Sequence, residues 1–373
     1  MSSFSWKQKW TAITPKPFAL ISILSSTYII HHILKSRKRR SEVFHRLLLG
    51  LSLCDLIAST SFFLGTWPIP RGTPGVYLAS GNKATCDAQG FFQQMYGVAP
   101  PLYNGSLAIY YFLTIRFGWK NGNPKLKVAE KLLHAVPLLY ATITAVIGSA
   151  LDLYRSSNLW CWVAGQYQVT RMIFLYGPVW FSFIVTSFCM IKIYCEVRSQ
   201  EAKTKKYNSS ITSAGRSDLP QRTDHSRRFA NQAMFYVLSF WITWLFPTCT
   251  RVSQFITGGS SPFVFIALFT IFIPLQGFFN VLVYLRPKYV RFKKRHADKN
   301  MCQLIFLGCG CSGEEAMRMS VFHVSGRSSI TDNFSRFNGK STVSKVEDNM
   351  EEDEEEPDEE PSELTNNLNE EQA

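Results

Sequence analysis

Charge is nearly absent from seven stretches of this 373-residue chain: 18–34, 43–67, 91–115, 132–153, 172–194, 229–256 and 263–284. That scarcity excludes a soluble fold, because a surface helix of a soluble domain keeps a polar face. A helix needs roughly 20 apolar residues to cross a hydrocarbon core about 30 Å thick. Six stretches reach that length and 18–34 falls just short, so the count of crossings is six or seven. Other absences narrow the function. The last stretch, "PFVFIALFTIFIPLQGFFNVLVY", has no lysine, which excludes a retinal Schiff base on that helix. The seven histidines fall at the ends of stretches, in the joints or in the tail, so no zinc cluster assembles with aspartate. A transporter or channel is the competing reading. Against it, no second intramembrane charge lies near Asp55 and no internal repeat is visible. The first seventeen residues are polar and carry no pattern of a cleavable leader.

What is present is a rhythm of cations. Lysine and arginine are retained on the cytoplasmic side of a membrane. They crowd the joints after the first, third and fifth stretches, as in "KSRKRR", and thin out after the second, fourth and sixth. Alternation of this kind predicts an all-α membrane protein, a bundle of seven transmembrane helices with an exterior N-terminus and a cytosolic C-terminus. The net charge of +13 is therefore topological, directed at anionic inner-leaflet lipid rather than at nucleic acid. The expected organisation is an exterior arm over 1–17, the bundle over 18–285, a basic amphipathic helix on the inner surface over 286–300, a Ser/Thr-rich tail over 301–346 and an acidic tail over 347–373. That last segment holds 14 of the 27 acids and no base, so it repels itself and stays disordered.

Topology places Cys86 and Cys161 alone on the exterior, where two thiols either bond or remain unpaired. Cys302, Cys309 and Cys311 follow the basic stretch on the inner side. There they are free thiols or, for Cys309 and Cys311 above all, sites of acylation. Asp55 is the one acid deep in a stretch, and a charge at that depth must face the interior and find partners. Asn280 and hydroxyls such as Ser25, Ser26 and Ser59 are the expected oxygens. A carboxylate among neutral oxygens suits a sodium ion; the bland alternative is a protonated acid that merely joins two helices. Pro100 and Pro101 kink the third helix and open a cavity there. Outward-side candidates for an extracellular ligand are Gln93, Gln94 and Tyr96 on that helix, then Asp152, Trp160, Trp162 and Gln166 in the joint that follows the fourth. Arg171, Trp244 and Arg251 complete the set, the arginines suiting a carboxylate or phosphate.

"ATCDAQGFFQQMYGVAPPLYNGSLAIYYFLTIRFGWK" and "FIPLQGFFNVLVYLRPKY", with seven predicted spans and two outer cysteines, resemble G-protein-coupled receptors. The likeness covers residues 18–295 and is strongest to seven-helix receptors of diatoms and related algae, then to rhodopsin-like and slime-mould cyclic-AMP receptors. It implies a Cys86–Cys161 disulfide and a switch built on Asp55, Asn280 and Tyr284. It also implies a heterotrimeric G protein at the inner face, near Tyr111, Arg116, Arg227 and Arg228, with a kinase and an arrestin-like protein at the tail, and no catalysis. Three departures are visible. No proline follows Asn280, the Asp-Arg-Tyr at the inner end of helix three is missing, and the Trp-x-Pro of helix six is one residue longer, "WLFP" from Trp244 to Pro247.

Overall fold

A computed structural model describes residues 4–210, 219–257 and 261–295. The chain opens with α1 (Trp6–Ile13), started by a reciprocal capping box between Ser5 and Gln8. Thr14 joins it to α2 (Pro15–Leu34), whose first-turn proline needs no hydrogen-bond partner for the amide it lacks. Residues 6–13, expected within a polar exterior arm, thus extend the first span. Their apolar residues tie them down: the Trp6 ring meets Phe263 at 4.8 Å and Phe4 meets Tyr77 at 5.3 Å.

A short basic turn, α3 (Arg37–Ser41), leads into α4 (Val43–Leu64). The third span, α5 (Lys83–Phe117), and the fourth, α6 (Pro124–Ala150), follow, and then a hairpin of β1 (Tyr154–Ser156) and β2 (Cys161–Val163). The fifth span begins as α7 (Gln168–Arg171), passes through a π-helical turn at Met172–Tyr176 and continues as α8 (Gly177–Ser210). The sixth is α9 (Leu219–Thr257). The seventh is α10 (Phe263–Phe272), a 3₁₀ turn at Ile273–Leu275 containing Pro274, and α11 (Gln276–Arg295). The segment expected as an inner-surface helix over 286–300 is helical through Arg295 as the continuation of α11; Cys302, Cys309, Cys311 and both tails lie outside the described residues.

Among the described residues, six helical segments are long and apolar enough to cross a membrane. The seventh, α5, has length to spare at 35 residues but carries Gln89, Gln93, Gln94 and Asn104, all buried. Its position explains the exception: α5 packs against α4, α6, α8 and α9, so protein rather than lipid surrounds it. Polar side chains are tolerated there because other helices satisfy them. Its two prolines leave the helix unbroken, and the Asn104 amide donates back to the Pro100 carbonyl at 3.0 Å.

At one end of the bundle Cys86 and Cys161 are bonded, fastening β2 to the start of α5. The hairpin is wedged further by Tyr154, whose hydroxyl donates to the Ala145 carbonyl at 2.8 Å. A β-carbon on Gly90 of α5 would lie 2.5 Å from the Tyr154 ring, so only glycine lets the hairpin seat this deeply.

Candidate ligand cavity and central polar seam

A cavity of about 640 Å³ opens at the disulfide end and descends between the helices to Asp55. Its walls are aromatic. Trp160 of the hairpin packs on Phe62 at 4.9 Å and on Phe269 at 5.5 Å, and Trp162, Tyr176 and Trp244 supply further faces. Residues of α1 reach its mouth: Lys7, Gln8 and Thr11 all line it. The sequence reading missed this helix, although tryptophans at positions 6 and 10, one helical turn apart, were its visible signal.

Of the expected ligand residues, Gln93, Tyr96, Trp160, Trp162, Arg171 and Trp244 line the cavity. Gln94, Arg251, Asp152 and Gln166 do not. Gln94 is fully buried and its amide is committed elsewhere. Pro178 has no N–H, which frees the Phe174 carbonyl four residues earlier, and the Gln94 amide donates to it at 3.1 Å. Gln94 Oε1 in turn accepts from Trp162 Nε1 at 2.8 Å and so aims the loop tryptophan. The π turn has a matching consequence. Gly177 N–H bonds Met172 rather than Ile173, and the Tyr140 hydroxyl takes the Ile173 carbonyl. Gln89, absent from the expected set, acts similarly: its amide donates to the Ser61 and Gly65 carbonyls at 3.1 and 2.9 Å, while its oxygen accepts from Cys161 N–H at 2.9 Å. Asp152 sits on the exposed surface, bonded to Arg155 and Lys83, which hold its carboxyl well below the usual range. Gln166 is exposed in the following turn.

At the cavity floor Asp55 is 2% exposed, and its Oδ2 accepts from Asn280 Nδ2 at 2.7 Å. Beside this pair runs a seam of hydroxyls. Ser59 donates to Ser22 Oγ at 2.9 Å, and Ser22 Oγ accepts from Gly277 N–H at 3.0 Å, joining α2, α4 and α11. A β-carbon on Gly277 would approach Ser26 Oγ to 2.3 Å, so this glycine sets the closeness of α2 and α11. Ser26 and Ser52 are buried, and their hydroxyls have no partner among the described residues. Ser25, one of the expected oxygens, bonds back to its own helix at Ile21 instead. Tyr284 belongs to a different group from Asp55 and Asn280: its hydroxyl meets His32 Nδ1 at 2.6 Å, and Lys288 meets His32 Nε2 at 2.8 Å.

The opposite, basic end holds the residues expected to face a G protein. Tyr111 is not on that face. It is buried among Phe44 and Phe229, with ring centroids at 5.7 and 6.3 Å. A tyrosine with apolar neighbours on all sides packs as core, which its spacing from Cys86 could not reveal. Arg116 is half-exposed and pairs with Glu196 of α8 at 3.5 Å, and Arg227 and Arg228 are exposed on α9.

The family described as "7 transmembrane receptor (Secretin family)" matches residues 17–280, most of the bundle. The chain belongs to that family. The match lies outside the rhodopsin-like group whose Asp-Arg-Tyr this sequence lacks. The receptor is 25% identical over 193 residues to ascaroside receptor GPR3 of Arthrobotrys oligospora, an alignment covering 51% of this chain and 46% of that protein. It is 23% identical over 181 residues to ascaroside receptor GPR2 of the same organism, covering 48% and 43%. The receptor therefore matches less than half the length of these two relatives. In architecture it is similar to the crystal structure of squid rhodopsin, with a TM-score of 0.55 and 14% identity over 88% of this chain and 94% of that one, a likeness of fold. The receptor is a multi-pass membrane protein whose helices enclose a cavity and whose hairpin is fastened by a disulfide.

Proposed function

We propose that this receptor is G-protein-coupled: an extracellular ligand enters the cavity from the disulfide end, and helix rearrangement passes the signal to a heterotrimeric G protein at the basic end. The observation that carries the reading is the continuity of the cavity from its mouth to Asp55, where a hydrogen bond joins α4 to α11 in the middle of the bundle. A ligand that presses on Trp244, or that alters the Asp55–Asn280 bond, acts on helices that run through to the basic end. The cation pattern of the joints supports an exterior N-terminus and a cytosolic C-terminus in the plasma membrane. Arg116, Arg227 and Arg228 are then available to the G protein. The Ser/Thr-rich tail over 312–344 supplies sites for a kinase, and an arrestin-like partner would read the added charge. Signalling of this kind involves no chemistry at the receptor itself.

The central donor set also fits a sodium ion. Asp55 offers its second carboxylate oxygen, and Ser26 and Ser52 offer unpartnered buried hydroxyls in the same region of the bundle. These residues would hold the ion, which would supply a compensating charge to the buried carboxylate.

The names of the two relatives make ascarosides the first compounds to test. The receptor is reconstituted with purified G protein, and nucleotide exchange is measured alongside ion and solute flux. Ligand-dependent exchange is the expected result; flux without exchange would replace the receptor reading with a transporter or channel.

A further inference from the structure

Arg171 lines the cavity and Arg251 lies behind its wall, and among the described residues neither has a carboxylate partner. Arg251 on α9 is 1% exposed, yet its guanidinium bonds only neutral groups: Gln254 Oε1 at 3.3 Å and the Gln168 carbonyl at 3.2 Å, both long, with Nε making no bond at all. Its guanidinium carbon is 5.0 Å from the Tyr176 ring and 4.8 Å from that of Phe255. Arg171 lines the cavity, lies 5.1 Å from the Trp162 ring and donates only to the Val163 carbonyl. Among the described residues, the acids at this end of the bundle are Asp87 and Asp152, and both are engaged by Lys83, the second also by Arg155.

A buried cation with no counter-charge is costly to a fold, and proteins that keep one generally provide it with an anion. Lipid headgroups are a poor source, because a side chain this buried does not reach the lipid surface. The cavity is the nearer one. Gln254 and Tyr176, which touch Arg251, both line it, and so does Thr250, whose buried hydroxyl has no partner. Lys7 adds a cation at the mouth, whereas the lone acid, Asp55, is at the far end of the cavity. Between the two ends the walls are the aromatic faces of Phe62, Trp160, Trp162 and Phe269.

We infer that the ligand is an anionic amphiphile, with a carboxylate or phosphate held by Arg171 and drawn by the charge of Arg251 behind Tyr176 and Gln254, and an apolar body lying among the cavity's tryptophans. The inference rests on the receptor reading for the location of the ligand, but binding alone tests it. A guanidinium suits either anion because its planar fork donates in pairs.

The receptor is placed in phosphatidylcholine nanodiscs without G protein, and hexanoate, hexyl phosphate, hexanol and hexylamine are titrated. Binding is read by tryptophan fluorescence and by calorimetry. The two anions should bind about tenfold or more tightly than hexanol, the difference that one charge-assisted contact supplies. Arg171→Gln should remove most of that preference. Arg251→Lys, which keeps the charge and guards against misfolding, should retain it in part, and Arg251→Gln should not. Equal or tighter binding of hexanol or hexylamine would overturn the proposal, as would an anion preference that survives Arg171→Gln and Arg251→Gln together. If neutral ligands bind and still drive nucleotide exchange, only the ligand class is lost; if anions bind but exchange never follows, the coupling is what fails.

Discussion

The side-chain amide of Asn280 donates to the Asp55 carboxylate across 2.7 Å, joining residues 225 positions apart in sequence at the floor of the cavity. One carboxylate oxygen is thereby occupied and the other is left to the interior. Asp55→Asn keeps the shape and removes the charge. It is expected to fold and to lose any dependence of thermal stability on sodium. A sodium response equal to that of the unmodified receptor, measured by thermal shift in potassium against sodium buffers, would exclude the cation role. Asn280→Ala removes the donor and leaves a buried acceptor unsatisfied, at a cost of about 1–3 kcal/mol.

The Cys86–Cys161 bond closes a loop of 75 residues. On the chain-entropy account, opening a loop of that length costs about 4 kcal/mol. Cys161→Ser should lower the melting temperature and loosen the hairpin that carries Trp160 and Trp162, so ligand affinity should fall as well. A melting curve superimposable on that of the parent would show that the hairpin is held by packing alone.

Gln94→Leu withdraws the partner of the Phe174 carbonyl and of Trp162 Nε1 together. Two unsatisfied buried groups should cost about 2–6 kcal/mol. Because Gln94 lies outside the cavity, the ligand should bind more weakly only through a displaced Trp162, visible as a change in tryptophan emission before ligand is added. Unchanged emission would argue against Gln94 aiming that side chain.

Gly90→Ala places a methyl group 2.5 Å from the Tyr154 ring. The ring is shut in and the backbone must move, so the loss should be about 1–3 kcal/mol, as for overpacking in general. Pairing it with Tyr154→Phe would not relieve the clash, whereas Tyr154→Ala would remove the ring contact but keep the β-carbon at 2.7 Å and so relieve it only in part; the double-mutant comparison by thermal shift separates the two.

Asp152 has its carboxyl pulled below the usual range, by the hydrogen bond from Arg155 first and that from Lys83 second. A depressed acid stabilises the fold above its unfolded pKa of about 3.9 and ceases to do so as pH falls through its folded value. The difference in melting temperature between the receptor and Asp152→Asn should be small and constant from about pH 5 to 8, shrinking only in stronger acid. The surface position keeps it small. A difference that varies across the neutral range would point to another titrating group.

The apolar stretches and the cations between them were legible because a bilayer imposes a single length and a single charge asymmetry on every span. Asp55 with Asn280 could be anticipated on the same ground, since an acid at that depth must have a partner. Gln94 could not be sorted from Gln93, although they are neighbours in sequence. Only their placement reveals that one turns toward the Phe174 carbonyl, which Pro178 leaves without its helical donor, and the other toward the cavity. The burial of Tyr111 could not be read for a related reason, because counting residues along a helix gives its depth but not its facing.

The sequence by itself determined that this chain crosses a membrane, how many times, and which residues must be hidden, since transfer of charge and backbone into hydrocarbon depends on composition and length. Tertiary structure alone decided the hidden residues' partners. Hydrogen bonds across helices depend on rotation and spacing at the level of ångströms, set here by Gly277, Gly90 and the π turn before Pro178, and no one-dimensional pattern encodes those distances.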